Sequence, residues 1–195
     1  MRVELQPLPI RIFHWVLAGC VFILIGTGLL LNEPSAVLQL PFRQLRQIHV
    51  FFGFLLLVNF LAHVYYYFFT KRFTEILILP RDWGNVPSFL RYMFFITEEH
   101  PNYGRYNPGQ KTVFTLWGVA QMLAGISGLL LLFPNSALWL QRLMGGLQNT
   151  RVLHFAIAIY FIMSVPLHLY LVFFENPAKL QSIFTGYVKK QPPPG

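Results

Sequence analysis

Four long runs of apolar residues constrain the fold of this 195-residue chain more than any other feature. They cover residues 12–31, 48–69, 112–133 and 152–174. A helix needs about 20 mostly apolar residues to cross the hydrocarbon core of a bilayer. Each run meets that length, so we expect an all-α membrane protein whose four transmembrane helices form an up-down bundle.

The composition agrees with this expectation. Charged residues make up 11% of the chain and apolar residues 55%, whereas a soluble domain carries about 25% charged residues. A soluble protein of this size would have to expose large apolar patches. The single cysteine, Cys20, excludes an intrachain disulfide and the covalent attachment of a c-type haem. Soluble domains, disordered chains and disulfide scaffolds are therefore excluded.

Basic residues are distributed unequally between the two sides of the predicted bundle. Eleven of the fifteen Lys and Arg residues lie at the two ends of the chain or in the loop 71–111. The positive-inside rule places both termini and this loop in the cytoplasm. The net charge of +8 therefore indicates orientation in a membrane rather than binding to nucleic acid. We expect a multi-pass protein of the bacterial inner membrane, in contact with its lipids.

The chain shows no evident internal repeat, so we expect a single membrane domain over residues 1–195. The loop 71–111 is too long for a simple connector. Its aromatic residues predict a segment that lies on the membrane surface. The proline-rich residues 189–195 predict a flexible tail.

Five of the six histidines lie within or at the ends of the spans, namely His14, His49, His63, His154 and His168. His154 and His168 are 14 residues apart, so they share one face of the fourth helix and are separated by about 21 Å along its axis. His49 and His63 repeat this spacing on the second helix. The spacing predicts two layers of histidine, one near each face of the membrane.

Two histidines that face each other from different helices can be the axial ligands of a haem iron. Two layers therefore predict two b haems stacked across the membrane. Zinc usually binds three or four ligands in one small sphere, often with Cys or carboxylate, and the spans contain no acidic residue. Simple counting along the helices places His63 opposite His168, whereas His14 lies at the start of the first span.

Three arginines, Arg11, Arg46 and Arg151, each precede a histidine by three positions. Residues at i and i+3 share a helix face, so each arginine lies one turn closer to water than its histidine. Because arginine binds carboxylates well, we expect these residues to pair with haem propionates. The alternative is that arginines at helix ends only extend toward the membrane interface.

Three short sequences resemble a known family. Arg-Ile-Phe-His-Trp at 11–15 and His-Val-Phe-Phe-Gly at 49–53 resemble the four-helix di-haem cytochrome b subunits of membrane formate dehydrogenases, nickel–iron hydrogenases and thiosulfate reductases. The loop Gly-Arg-Tyr-Asn-Pro-Gly-Gln-Lys at 104–111 is similar to a segment of the gamma subunits of respiratory formate dehydrogenases. The resemblance extends over about residues 8–190.

The resemblance implies a ligand set for each haem. His49 and His154 match the ligands of the periplasmic haem, and His14 and His168 match those of the cytoplasmic haem. His63 matches no ligand of the family, although its depth in the bundle keeps it as the alternative to His14. In the family pattern His63 would lie beside the haem or the quinone.

The resemblance also implies a quinone site, for menaquinone or ubiquinone, bordered by Asn107, Gly109 and Gln110. Without the resemblance, the same residues predict an ordinary Asn-Pro-Gly turn. Electrons would reach the quinone from a periplasmic catalytic subunit through an iron–sulfur subunit. This chain carries no site for oxidising a substrate, so any such reaction would belong to the complex, which could also form a higher oligomer.

Other functions fit the same sequence features. The partner could be a hydrogenase, a thiosulfate reductase or another molybdenum or tungsten enzyme, and only the catalytic subunit would distinguish these. A haem-poor membrane anchor would lack bis-histidine haem absorbance. A stand-alone di-haem quinone oxidase of the b561 type would be active without an iron–sulfur partner.

Overall fold

A computed structural model of the chain describes residues 2–32, 41–94, 96–97, 103, 105–174 and 177–189. Over these residues the fold is mostly helical. The elements follow the order β1 (Arg2–Glu4), α1 (Leu8–Asn32), α2 (Phe42–Phe69), α3 (Phe73–Ile76), a 3₁₀ helix (Pro80–Asn85), α4 (Val86–Met93), α5 (Pro108–Leu132), α6 (Leu138–Leu143), α7 (Leu147–Phe174), α8 (Pro177–Thr185) and β2 (Tyr187–Lys189).

Helices α1, α2, α5 and α7 are long and apolar enough to cross a membrane. The prediction of four spans is therefore confirmed. Each helix begins four to six residues before its apolar run, as α2 does at Phe42 and α7 at Leu147. These additional first turns contain polar side chains such as Arg43 and Gln148. An apolar run does not include such residues, although their backbone is helical.

The four long helices form a closed bundle. α1 packs on α2, α2 on α5, α5 on α7, and α7 again on α1. The buried side chains at its centre are Val21, Ala120, Ile157 and Phe161. In this arrangement α2 and α7 lie across the bundle from each other, and so do α1 and α5. A group bound in the interior would therefore contact all four helices.

The two ends of the chain meet at one end of the bundle. Strand β1 pairs with β2 in antiparallel register, with Val3 opposite Val188. The loop between α2 and α5 lies at the same end, because Arg105 donates hydrogen bonds to the Leu5 carbonyl and to Gln6 Oε1 (3.1 Å). The termini and this loop thus share one side of the bundle, as the distribution of basic residues predicts.

The loop between α2 and α5 contains more helix than a simple connector. It folds into α3, the 3₁₀ helix and α4, and Trp83, Leu90 and Phe94 are exposed along it. Its location on a membrane surface remains a prediction. Residues 98–102 and Gly104 of this loop, and residues 190–195 of the expected tail, lie outside the described residues.

Candidate functional site

His49 on α2 and His154 on α7 face each other across the bundle. Their ring centroids are 6.2 Å apart, and the planes of the two rings differ by 70°. A bond from a metal to an imidazole nitrogen is about 2 Å long, so two imidazoles that bind one metal from opposite sides have ring centres about 6 Å apart. The observed separation therefore fits one iron held between the two rings.

Each of these histidines has a hydroxyl partner that the sequence analysis did not identify. Thr27 Oγ1 on α1 lies 2.8 Å from His49 Nδ1, and Ser127 Oγ on α5 lies 2.8 Å from His154 Nδ1. Nothing in the spacing of histidines points to Thr27 or Ser127, because each hydroxyl lies on a different helix from its histidine. A sequence feature that could have indicated these partners is that Thr27 and Ser127 each directly precede a glycine near the end of a span.

Those glycines, Gly28 and Gly128, lie against the same two rings. A Cβ built on Gly28 would be 3.3 Å from His49 Cε1, and one built on Gly128 would be 3.4 Å from His154 Cε1. These distances are at or below the lower limit of ordinary contact between carbon atoms. The absence of a side chain at both positions lets each imidazole pack directly on the backbone of the neighbouring helix.

His14, His63 and His168 come together toward the other end of the bundle. His14 lies near both His168 and His63. His63 stacks on Phe13, with 5.0 Å between ring centroids. His14 Nδ1 and His63 Nε2 are buried and make no hydrogen bond within the described residues. Buried polar atoms normally have a partner, and a ring nitrogen without one fits the donor set that a metal requires.

The three arginines predicted to bind propionates lie in different surroundings. Arg46 and Arg151 are exposed one turn outward from His49 and His154. Arg11 instead binds the end of α8, where its guanidinium donates to the carbonyls of Ile183 (3.3 Å) and Phe184. Two nitrogens of Arg11 therefore hold the C-terminal segment against α1. Binding of haem propionates by Arg11, Arg46 or Arg151 remains a prediction.

Asn107, Gly109 and Gln110 form the beginning of α5. Asn107 Oδ1 accepts a hydrogen bond from the Gln110 amide at 2.8 Å, and Gln110 Oε1 accepts one from the Asn107 amide at 3.2 Å. This reciprocal capping box satisfies two backbone N–H groups at the helix start. The predicted quinone residues thus also have a structural role, which the spacing of Asn and Gln in the sequence already indicates.

Gly109 also determines how α4 packs on α5. A Cβ at Gly109 would lie 2.7 Å from Phe89 Cε1 and closer still to Phe89 Cζ. Only glycine permits the ring of Phe89 to occupy this position. The contact packs α4 against the start of α5, where the three residues predicted to border a quinone lie.

A largely buried ion pair connects the 3₁₀ helix to the first turn of α5. Lys111 Nζ lies 2.7 Å from Asp82 Oδ1, and the Leu79 amide donates to Asp82 Oδ2 at 2.9 Å. Desolvation acts to raise the pKa of the Asp82 carboxyl. The hydrogen bonds from Lys111 and Leu79, with the positive charges of Lys111 and Arg81, outweigh it and lower that pKa below its ordinary value.

Comparison with known proteins gives a consistent result. Residues 5–186 match the model of the family described as prokaryotic cytochrome b561. The chain is 24% identical over 201 residues to a probable Ni/Fe-hydrogenase B-type cytochrome subunit of Azotobacter vinelandii, which covers 92% of this chain and 84% of that protein. It is 30% identical over 112 residues to the protein of the same description from Rhodobacter capsulatus, which covers 51% and 43%.

The matched region contains all four long helices and the five histidines that lie in or at the ends of them. A b-type haem is what this family implies, and the facing pair of His49 and His154 fits one. The chain is therefore a multi-pass membrane b-type cytochrome that belongs to the prokaryotic cytochrome b561 family.

Proposed function

We propose that this chain is the membrane electron-transfer subunit of an oxidoreductase complex in the bacterial inner membrane. It holds two b haems and passes electrons from periplasmic catalytic and iron–sulfur subunits to a quinone on the cytoplasmic side. The observation that carries this proposal is the pair of His49 and His154, whose ring centroids lie 6.2 Å apart across the bundle. A bound haem supplies one-electron redox chemistry.

At the periplasmic end of the bundle, His49 and His154 would hold one haem iron. Gly28 and Gly128 let the backbones of α1 and α5 approach the two rings. Arg46 and Arg151, exposed one turn outward, would pair with propionates at the water-facing edge. The apolar side chains of the bundle exclude water from the remainder of the site.

At the cytoplasmic end, His14 and His168 would hold the second haem iron. The proximity of His14 to His168 supports this assignment. His63 lies beside the pair, stacked on Phe13. It is the alternative ligand to His14. Arg11, fixed by the carbonyls at the end of α8, binds a propionate on this side.

The quinone binds beside the first turn of α5, next to Asn107, Gly109 and Gln110. The amide group of Gln110 supplies N–H donors for a quinone carbonyl. The capping box holds this amide in position through its Oε1 atom. Protons for the reduced quinone enter from the cytoplasm. Electrons move from the periplasmic to the cytoplasmic side, and protons are taken up from the cytoplasm. Together these two movements increase the membrane potential.

We propose a Ni/Fe hydrogenase as the catalytic partner. The support is the description of the relatives from two Azotobacter species as probable Ni/Fe-hydrogenase B-type cytochrome subunits. Those proteins align with more than nine-tenths of this chain. The loop 104–111 is similar to formate dehydrogenase gamma subunits and makes a formate dehydrogenase the second candidate.

A spectroscopic experiment on native membranes tests both the function and the partner. We expect hydrogen gas to reduce the b haem of membranes that contain the tagged chain, and an added quinone analogue to reoxidise it. Reduction by formate alone would identify a formate dehydrogenase instead. If the purified chain has no b-haem absorbance, it is a membrane anchor, and the electron-transfer function is wrong.

A further inference from the structure

We propose that Thr27 and Ser127 are positioning residues that fix the tautomer and orientation of His49 and His154. The inference rests on the proposed function, in which these two histidines bind one haem iron. Neither hydroxyl touches the iron in this arrangement, because each acts through the imidazole that it contacts.

The hydrogen bonds of Thr27 assign the proton on His49. Thr27 Oγ1 lies 2.7 Å from the Ile23 carbonyl oxygen, which can only accept a hydrogen bond. The hydroxyl hydrogen is therefore directed to Ile23. The bond of 2.8 Å between Thr27 Oγ1 and His49 Nδ1 then requires Nδ1–H as its donor. His49 Nε2 is left as the unprotonated nitrogen, which is the atom that can bind a metal.

Ser127 places His154 in the same state. Ser127 Oγ lies 2.6 Å from the Leu123 carbonyl oxygen and 2.8 Å from His154 Nδ1. The hydroxyl again donates to the carbonyl and accepts from Nδ1–H. Ser127 has no exposed surface, so water does not compete for these bonds.

The two arrangements form a short internal repeat that the sequence analysis overlooked. Residues 27–31 read Thr-Gly-Leu-Leu-Leu and residues 127–131 read Ser-Gly-Leu-Leu-Leu. The next long helix carries Arg-Gln-Ile-His at 46–49 near its start in one half and Arg-Val-Leu-His at 151–154 near its start in the other. In both halves the hydroxyl binds Nδ1 and the next glycine packs on Cε1.

The two hydrogen bonds that each hydroxyl makes distinguish Thr27 and Ser127 from ordinary serine and threonine residues in membrane helices. Such residues commonly donate to the carbonyl four positions earlier and do nothing more. Here the hydroxyl oxygen of each residue additionally accepts from a histidine on another helix. Partners of this kind orient a metal ligand and raise its basicity, and their loss typically costs about 10- to 100-fold in affinity for the metal.

The test uses the full chain purified in detergent, with the Thr27→Val and Ser127→Ala variants. Thr27→Ser keeps the hydroxyl and is the rescue variant. Thr150→Ala is the matched control, because Thr150 is a buried threonine whose hydroxyl donates to the Gly146 carbonyl at 3.0 Å. Haem per polypeptide, the two midpoint potentials and the low-spin electron paramagnetic resonance signals are measured for each protein.

We expect Thr27→Val and Ser127→Ala to weaken binding of the same haem about 10- to 100-fold. Both variants raise the midpoint potential of that haem, because a less basic imidazole stabilises ferric iron less. The second haem keeps its potential, and Thr27→Ser and Thr150→Ala behave like the wild type. These changes distinguish positioning from a general loss of stability, which would affect both haems.

The inference is overturned if the wild type holds both haems and neither Thr27→Val nor Ser127→Ala changes the potential or the resonance signal of either. It is also overturned if the two variants alter different haems. A wild type without b haem would overturn the proposed function, and the inference with it.

Discussion

The rings of His49 and His154 lie 6.2 Å apart although the helices that carry them, α2 and α7, are on opposite sides of the bundle. The other two long helices, α1 and α5, contribute a hydroxyl and a glycine each to the same place. All four helices thus define one site. This convergence explains why substitution of a single small residue on α1 or α5 is expected to affect the bound haem.

The first prediction concerns the glycine against His49. Gly28→Val places a side chain where a Cβ alone would already lie 3.3 Å from His49 Cε1, so we expect the ring to be displaced and one of two haems to be lost. Gly26→Val is the matched control on the same helix, because nothing lies within 4 Å of a Cβ at Gly26. Pyridine haemochrome assays measure both, and equal haem contents in the two variants would contradict the prediction.

The second prediction concerns the contact of α4 with α5. Gly109→Ala forces the ring of Phe89 away, because the new Cβ would overlap it. Overpacking of this kind costs about 1 to 3 kcal/mol. We expect a lower thermal unfolding temperature and slower reduction of a quinone analogue.

Two further variants complete that experiment. Phe89→Leu in the Gly109→Ala background relieves the overlap and should restore stability, whereas Gly118→Ala on the same helix meets nothing within 4 Å and should have no effect. If Gly109→Ala reduces quinone at the wild-type rate, the residues beside the first turn of α5 do not border the quinone.

The third prediction concerns the pH dependence of the Asp82–Lys111 ion pair. The pKa of Asp82 is lower in the folded protein than its ordinary value of about 4. The pair therefore stabilises the fold fully above pH 4, and this contribution is lost as the pH falls below 4 toward the folded pKa. We expect the unfolding temperature of the wild type to fall in this range more steeply than that of Asp82→Asn.

The same variant tests the size of the interaction. A hydrogen bond to a charged group contributes about 1.5 to 3 kcal/mol, so Asp82→Asn should lower the unfolding temperature at pH 7. Lys111→Met should have a similar effect, and the double variant should be no worse than either. Parallel pH curves for the wild type and Asp82→Asn would show that the pair does not stabilise the fold.

The fourth prediction distinguishes the two candidate ligands of the cytoplasmic haem. His14→Ala removes the histidine that lies near His168 and that we propose as the second ligand, so we expect loss of one haem while the other keeps its spectrum. His63→Ala is expected to retain both haems, because His63 packs on Phe13 beside the pair. Loss of a haem from His63→Ala, with two retained in His14→Ala, would make His63 the ligand.

The four spans were predictable from the sequence because the apolar runs are long and uninterrupted. The starts of the helices were not, because polar residues such as Arg43 near the start of α2 do not register as part of a span although their backbone is helical. The layers of histidine were also predictable, since a spacing of 14 residues returns to the same helix face.

The hydroxyl partners of the histidines could not be predicted from the sequence. Whether Thr27 meets His49 depends on how α1 is rotated against α2, and helical spacing within one chain segment does not determine that rotation. The contact of Phe89 with Gly109 has the same origin, because helical spacing does not determine how α4 packs on α5. The capping box at the start of α5 was not predicted, because residues 107–109 indicated only an Asn-Pro-Gly turn, although Asn107 and Gln110 have the required spacing.

The most direct measurement for the central claim is the amount of haem b per polypeptide in the wild type, His49→Ala and His154→Ala. We expect two haems in the wild type and one in each variant, with the same spectral component missing from both. A wild type without b haem, or variants that each retain two, would contradict the claim that the facing pair of His49 and His154 holds a haem.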